Sequence, residues 1–294
     1  MRLATVLPKD SLLSAYIELA KPRIVTMVLV TAAIGFVLGG HGQGSMVLLA
    51  LTLVGTAMTA GGASVLNQYL ERDCDRLMDR TRRRPLPAGT VSPNDALAYG
   101  LLLVLGGVIL LVATVNLLTA FLGMLTAFLY VLVYTPMKRL SWLNTLIGAI
   151  PGAIPPLGGW AAATGHLAPG AWALFAILFL WQHPHFYAIA WMFKDDYRKG
   201  GFKMLPVIEP DGRSTFRQIV LFALILIPVS VLPTVLGVSG RIYAVGALLL
   251  GFWMLGRCLT LAKSGTVHDA RRVLRASVIY LPLLLALILA DNGM

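Results

Sequence analysis

Nine mostly apolar stretches of 17 to 21 residues punctuate this chain, at about 24–40, 46–66, 96–115, 117–135, 142–162, 170–190, 218–237, 241–261 and 273–290. As a helix, each is long enough to cross roughly 30 Å of hydrocarbon. The pattern predicts an all-α fold: a polytopic membrane protein with nine transmembrane helices, forming one membrane-embedded domain over residues 1–294. The connectors alternate in character. Those after the first, third, fifth and seventh stretches are short and nearly uncharged, whereas the others carry the basic residues. With the segment 1–23 included, 23 of the 24 Lys and Arg residues fall on one side, Arg2 and Lys9 among them, and only Arg241 falls on the other. By the positive-inside rule the N-terminus and the loops 67–95 and 191–217 are cytoplasmic, and the C-terminus is outside.

Composition agrees with this reading. The chain is 57% hydrophobic and 13% charged, against about 25% charged in a soluble domain. The same loop topology accounts for the formal charge of +11, so nucleic-acid binding is not needed to explain it. Cys74 and Cys258 are too few for a disulfide framework and both fall on the reducing side. No apolar core of signal-peptide length precedes a cleavage site near the N-terminus.

One polar stretch stands apart, NQYLERDCDRLMDRTRRRPLPAG from Asn67 to Gly89. If the preceding helix continues, each four-residue step advances about 400°, so Asn67, Glu71, Asp75 and Asp79 drift only about 40° per step and share a face. Such a ladder of oxygen ligands suits a hard cation such as Mg²⁺. By itself the pattern also suits a solvated loop of mixed charge. A second acidic pair, Asp195 and Asp196, follows the sixth stretch on the same predicted side, with Lys199 and Lys203 nearby. Two acidic clusters at one membrane face are able to hold Mg²⁺ between them while basic side chains neutralise a polyphosphate.

His183 and His185 flank Pro184 inside the sixth stretch, where an ionisable group is costly. Pro184 is expected to distort this helix. If helical phase survives it, His185 and Asp196 lie about 20° from alignment and roughly 16 Å apart along the axis, a spacing suited to a long substrate. The histidines either bond a neighbouring helix or bind an acceptor, including axial ligation of a porphyrin iron. The fifth stretch, rich in Pro and Gly, is expected to be kinked and closely packed.

These residues resemble the intramembrane aromatic prenyltransferases of the UbiA family, and within it the heme-modifying branch. The likeness rests on Asn67, Glu71 and Asp75 at four-residue steps, on ERDCDRLMDRTRRRPLPAG as a whole, and on KPRIVTM, YTPMKR, HPHFYAIA and DDYRKGGFKMLPV. Glu71 and Trp191 stand where many members of the wider family carry Asp and a further carboxylate.

The resemblance implies farnesyl transfer from farnesyl diphosphate to a vinyl group of heme B, with water added. It places Asn67, Glu71, Asp75, Asp195 and Asp196 on Mg²⁺, with Lys138 and Arg139 completing the catalytic set. Arg80, Lys199, Tyr134, Tyr187, His183 and His185 become substrate contacts, and Lys21 and Arg23 lesser clamps. Tyr130, Tyr134, Phe186 and Tyr187 are able to face an allylic cation or simply to anchor at the headgroup level. Arg82 to Arg84 are candidates for the heme propionates. The resemblance implies a bacterial inner membrane with a cytoplasmic active site, and leaves room for assembly partners in the heme pathway or a terminal oxidase. Two other readings stay open: prenylation of a quinone-precursor aromatic acid, and a transporter using the acidic pairs as ion relays.

Overall fold

The structure is a computed structural model that describes residues 11–292; Arg2 and Lys9 lie outside them. Its helices are α1 (Leu12–Leu19), α2 (Pro22–Gly39), α3 (Met46–Leu77), α4 (Pro93–Thr114), α5 (Leu117–Phe128), a π-helical segment (Leu129–Tyr134), α6 (Thr135–Leu140), α7 (Asn144–Ala153), α8 (Pro155–Thr164), α9 (Pro169–Met192), α10 (Lys194–Lys199), α11 (Leu205–Ile208), α12 (Arg213–Val235), α13 (Arg241–Ser264) and α14 (Val267–Ala290). Among the described residues nine crossings are long and apolar enough to span a bilayer, with α5 to α6 and α7 to α8 each counting as one.

The helix starts follow from local chemistry. Ser45, Ser92 and Asn116 turn their side-chain oxygens onto the first free N–H groups of α3, α4 and α5. Pro93 and Pro169 occupy first-turn positions where no N–H is needed. The fifth crossing breaks at Ile154 before Pro155, as its proline content predicts. Here α2 and α8 approach at van der Waals contact of their backbones. A Cβ on Gly159 would strike the Ala32 carbonyl, and one on Gly35 would strike that of Pro156.

The largest core lies among α9, α12, α13 and α14, with Tyr187, Tyr243 and Tyr280 fully buried in it. The first described crossing starts at Pro22, directly after Lys21, which lies beside the polar ladder. The last ends at Asp291, whose carboxylate accepts from the Tyr243 N–H at the start of α13. The two described ends therefore sit on opposite faces of the bundle.

Two sequence expectations are corrected, both concerning where a helix ends. Helix α9 runs through Pro184 as one element. It then ends at Met192, and α10 is a separate short helix, so no helical phase connects His185 to Asp196. Helix α3 ends at Leu77 with Met78 extended, so Asp79 leaves the face that Asn67, Glu71 and Asp75 share.

Candidate functional site

Helix α3 overruns its apolar stretch by three turns, and Asn67, Glu71 and Asp75 occupy successive turns of the overrun. They are 1%, 6% and 1% exposed, whereas Asp73 and Asp79 on other faces are exposed. Burying carboxylates is expensive unless each finds a cation, and every rung has one. The Lys21 ammonium donates to Asn67 Oδ1 at 2.9 Å. Lys138 Nζ lies 2.7 Å from Glu71 Oε1, and Arg84 Nη1 donates to Asp75 Oδ2 at 2.8 Å.

Each cation arrives for a separate local reason. Lys21 stands between α1 and α2 in the left-handed region (φ 52), immediately before Pro22, so the chain is turned sharply to aim it inward. Loss of hydration, reinforced by repulsion from Arg84 and Lys138, draws its ammonium down to about 7. Arg84 is carried back by the turn after α3, which Thr81 pins by donating its hydroxyl to the Asp75 carbonyl at 2.9 Å. Lys138 comes from α6, with its ammonium 4.6 Å from the Tyr134 ring centre, a cation–π distance.

The π-helical segment before α6 shapes this wall. It stacks Tyr130 on Tyr134 (5.6 Å between centres, 26° between planes) and turns the Tyr130 hydroxyl toward Asn67 Oδ1 at 3.4 Å. Thr135 closes the wide turn, donating its hydroxyl to the Tyr130 carbonyl and accepting from Asn67 Nδ2 at 3.0 Å. Single π turns commonly mark functional sites; this one displaces two tyrosines and a threonine onto the ladder.

The second acidic motif reaches the foot of the ladder. Asp196 accepts from the backbone N–H groups of Asp79 and Arg80 at 3.4 and 3.3 Å. Lys199 bonds Asp79 at 2.6 Å, which holds the Asp79 carboxyl below and the Lys199 ammonium above their ordinary ranges. Arg80 lies over the Phe193 and Tyr197 rings and donates to the Tyr197 hydroxyl at 3.2 Å.

The structure thus brings together Asn67, Glu71, Asp75, Lys138 and Tyr134, and sets Asp196, Arg80 and Lys199 at the rim. Asp195 turns outward to Arg198, with its side chain 74% exposed, and Arg139 is exposed. Of the residues that sequence reasoning undervalued, Lys21 and Arg84 carry central contacts. Thr135 was missed although the motif YTPMKR contains it.

The histidines face different neighbours. His183 is fully buried, its Nδ1 2.7 Å from the Phe179 carbonyl and its ring stacked on Phe222 of α12 at 3.6 Å. Its Nε2 has no hydrogen-bond partner among the described residues, and Tyr187 lies beside it in the core. His185 is only partly buried; its Nδ1 lies 2.8 Å from Ser277 Oγ of α14, and its ring stacks on Trp181.

The ladder fits a metal that arrives with a phosphate ligand. Among the described residues Asp75 Oδ1 is buried without a partner, and Glu71 Oε1 has its ion pair but no aligned hydrogen bond, so oxygen lone pairs are available. Among the described residues no three His, Cys, Asp or Glu side chains converge into a ready cage. Mg²⁺ rarely needs one, since it usually takes one or two carboxylates, water and substrate phosphates. The three ladder cations are suited to the phosphate itself.

Comparison with known proteins places this arrangement in context. The model of the UbiA prenyltransferase family matches residues 28–286. A protoheme IX farnesyltransferase of Solibacter usitatus is 49% identical over 286 residues, covering 94% of this chain and 98% of the relative. That of Salinibacter ruber is 50% identical over 276 residues, with the same two coverages. Among solved structures, a digeranylgeranylglyceryl phosphate synthase superposes with a TM-score of 0.80 at 17% identity, covering 95% of this chain and 98% of the other. A UbiA homologue from Archaeoglobus fulgidus bound to DMAPP and Mg²⁺ superposes at 0.70 with 19% identity, covering 94% and 98%. At these identities the superpositions speak for the fold.

Proposed function

The chain belongs to the UbiA prenyltransferase family, and from that premise we propose that it transfers the farnesyl group of farnesyl diphosphate to a vinyl group of heme B, with addition of water, releasing diphosphate and giving heme O. One structural observation carries the site assignment: three buried ladder residues, each already paired with a cation, at one end of a membrane bundle. The choice of donor and acceptor draws on relatives named protoheme IX farnesyltransferase.

The chemical problem is a carbon–oxygen bond whose leaving group is a polyanion. Lys21, Lys138 and Arg84 already converge on the ladder and bind diphosphate oxygens, stabilising the charge that grows as the bond breaks. Mg²⁺, held by Asn67, Glu71 and Asp75, with Asp196 at the rim, would supply further charge neutralisation on the diphosphate. We place Asp195 and Arg139 at the mouth, where they tune the local field rather than touch the leaving group. Stacked Tyr130 and Tyr134 present ring faces beside the departing group, where an allylic cation forms. Arg80 and Lys199 at the rim guide the anionic donor inward. The basic loops share this face, and we assign it to the cytoplasmic side of a bacterial inner membrane.

For heme contact the two histidines separate. We assign it to His185, which is partly buried and has Ser277 as its polar neighbour, and give His183 and Tyr187 to packing of the core. His185→Ala is then expected to weaken heme binding and shift its absorption spectrum, while His183→Ala chiefly lowers the melting temperature. Absorption titrations of heme B with both variants check this; an unchanged spectrum and affinity for His185→Ala would overturn it.

The reaction is tested by incubating purified protein with farnesyl diphosphate, Mg²⁺ and either heme B or an aromatic acid, then weighing the products. A heme mass raised by one farnesyl group and one hydroxyl is expected. A prenylated aromatic acid with unchanged heme would point to the quinone-precursor reaction instead.

A further inference from the structure

Lys21 is the joint between α1 and α2. Its N–H donates back to the Glu18 carbonyl at 3.0 Å, and its carbonyl accepts from Ile24 and Val25 of α2 at 2.9 and 3.1 Å. The backbone there is left-handed (φ 52, ψ 61), a state that is uncommon outside glycine and persists only where the surroundings over-determine it. Pro22 restricts it further.

The joint also strands a carbonyl. In a continuing helix the Leu19 carbonyl would accept from residue 23, but the chain has turned and Arg23 lies in the first turn of α2. Its partner comes from α3 instead, where Gln68 Nε2 donates to the Leu19 carbonyl at 2.7 Å. Gln68 is 1% and Leu19 0% exposed, and Leu19 packs with Val65, Leu86, Val91 and Ala96 in a small core. At that depth an unmet carbonyl is costly.

Gln68 directly follows Asn67, whose Oδ1 accepts from the Lys21 ammonium at 2.9 Å. One residue is a step of about 100° on a helix, so Asn67 meets the lysine while Gln68 meets α1. Two consecutive residues of α3 thus grip one joint, at the backbone two residues before Lys21 and at the tip of its side chain. We propose that Gln68 is a positioning residue for the reaction, fixing the left-handed joint and so holding the Lys21 ammonium on the ladder without itself touching the diphosphate. The role rests on the diphosphate site proposed above, in which Lys21 is a clamp. Without the Gln68 bond the joint relaxes towards the extended backbone favoured before proline, and the ammonium swings away from Asn67.

The test measures the dissociation constant of unreactive farnesyl thiolodiphosphate, and kcat/KM with heme B, for full-length protein in detergent with Mg²⁺ present. Gln68→Met and Gln68→Leu keep the bulk and lose the donor, and the pair guards against one failing to fold. Each is expected to weaken analogue binding and lower kcat/KM about 10-fold or more, the scale of losing one hydrogen bond to a charged group. Lys21→Met should lose at least as much, and adding Gln68→Met to it should cost less than about a further twofold, because Gln68 acts through the lysine. A merely structural amide would cost the same in both backgrounds. Ser11→Ala removes the cap at the other end of α1, and leaves the joint untouched; its affinity should stay within about twofold of wild type. Wild-type affinity in both Gln68 variants, full additivity in the double variant, or an equal loss in Ser11→Ala would overturn the role of Gln68 and leave the diphosphate site standing. An analogue that wild type does not bind would overturn the site and this role together.

Discussion

Asp75→Asn is expected to lower heme farnesylation by about 10³-fold or more, the scale seen when a group stabilising transition-state charge is removed, while the protein still inserts and folds. Asp75 is 1% exposed; one of its oxygens accepts from Arg84, and the other has no partner among the described residues. Asparagine keeps the shape but removes the charge that positions Arg84 and would hold Mg²⁺. The fold survives because Thr81 bonds the Asp75 backbone carbonyl, not its side chain. Arg84 also keeps 26% of its side chain in contact with solvent, so its loss of a partner should cost about 1 to 2 kcal/mol, less than a fully buried pair. Product mass against time, with a melting curve as the fold control, checks both halves. Activity within tenfold of wild type would remove Asp75 from the site.

Lys138→Met is expected to damage stability as well as rate. Its side chain is 13% exposed and that of Glu71 is 7% exposed, so deleting the ammonium leaves a nearly buried carboxylate without its counter-ion. That situation costs on the order of 3 to 5 kcal/mol. The double variant Glu71→Gln with Lys138→Met removes both charges and should regain most of the lost melting temperature. It should remain inactive, because on the proposed mechanism the diphosphate would lose a clamp and the metal a ligand. A double variant as unstable as Lys138→Met alone would show that lysine packing against Tyr134 and Phe202, rather than its charge, is what matters.

Much of this architecture is legible in the sequence because a bilayer leaves the chain few options. Apolar runs long enough to cross must be helical, and the alternation of charged and uncharged connectors sets their order. The ladder is legible for the same reason: once α3 is known to continue, four-residue spacing puts Asn67, Glu71 and Asp75 on one face. Where α3 stops is less legible. The run to Asp79 keeps the spacing, but Met78 turns extended, and Asp79 ends up bonded to Lys199.

What the sequence hides is long-range. Lys21 reaches Asn67 across 46 residues, and only the left-handed turn before Pro22 explains its aim. Thr135 reads as an ordinary span residue until the π turn places its hydroxyl between Tyr130 and Asn67. Pro184 reads as a distortion of its helix, and the sequence does not show that α9 nonetheless continues through it to Met192. The paired carboxylates also gather at one end of the bundle rather than at mid-membrane, which favours a surface-opening diphosphate site over an ion relay.

The central claim is that the α3 ladder binds the diphosphate together with Mg²⁺. Calorimetric titration of an unreactive farnesyl thiolodiphosphate into the purified protein tests it most directly, with Mg²⁺ present and then with the metal chelated. Affinity at least 100-fold tighter with Mg²⁺, and loss of that difference in Asp75→Asn, is the predicted result. Equal affinity with and without Mg²⁺ in wild type, or an intact Mg²⁺ effect in Asp75→Asn, would contradict it.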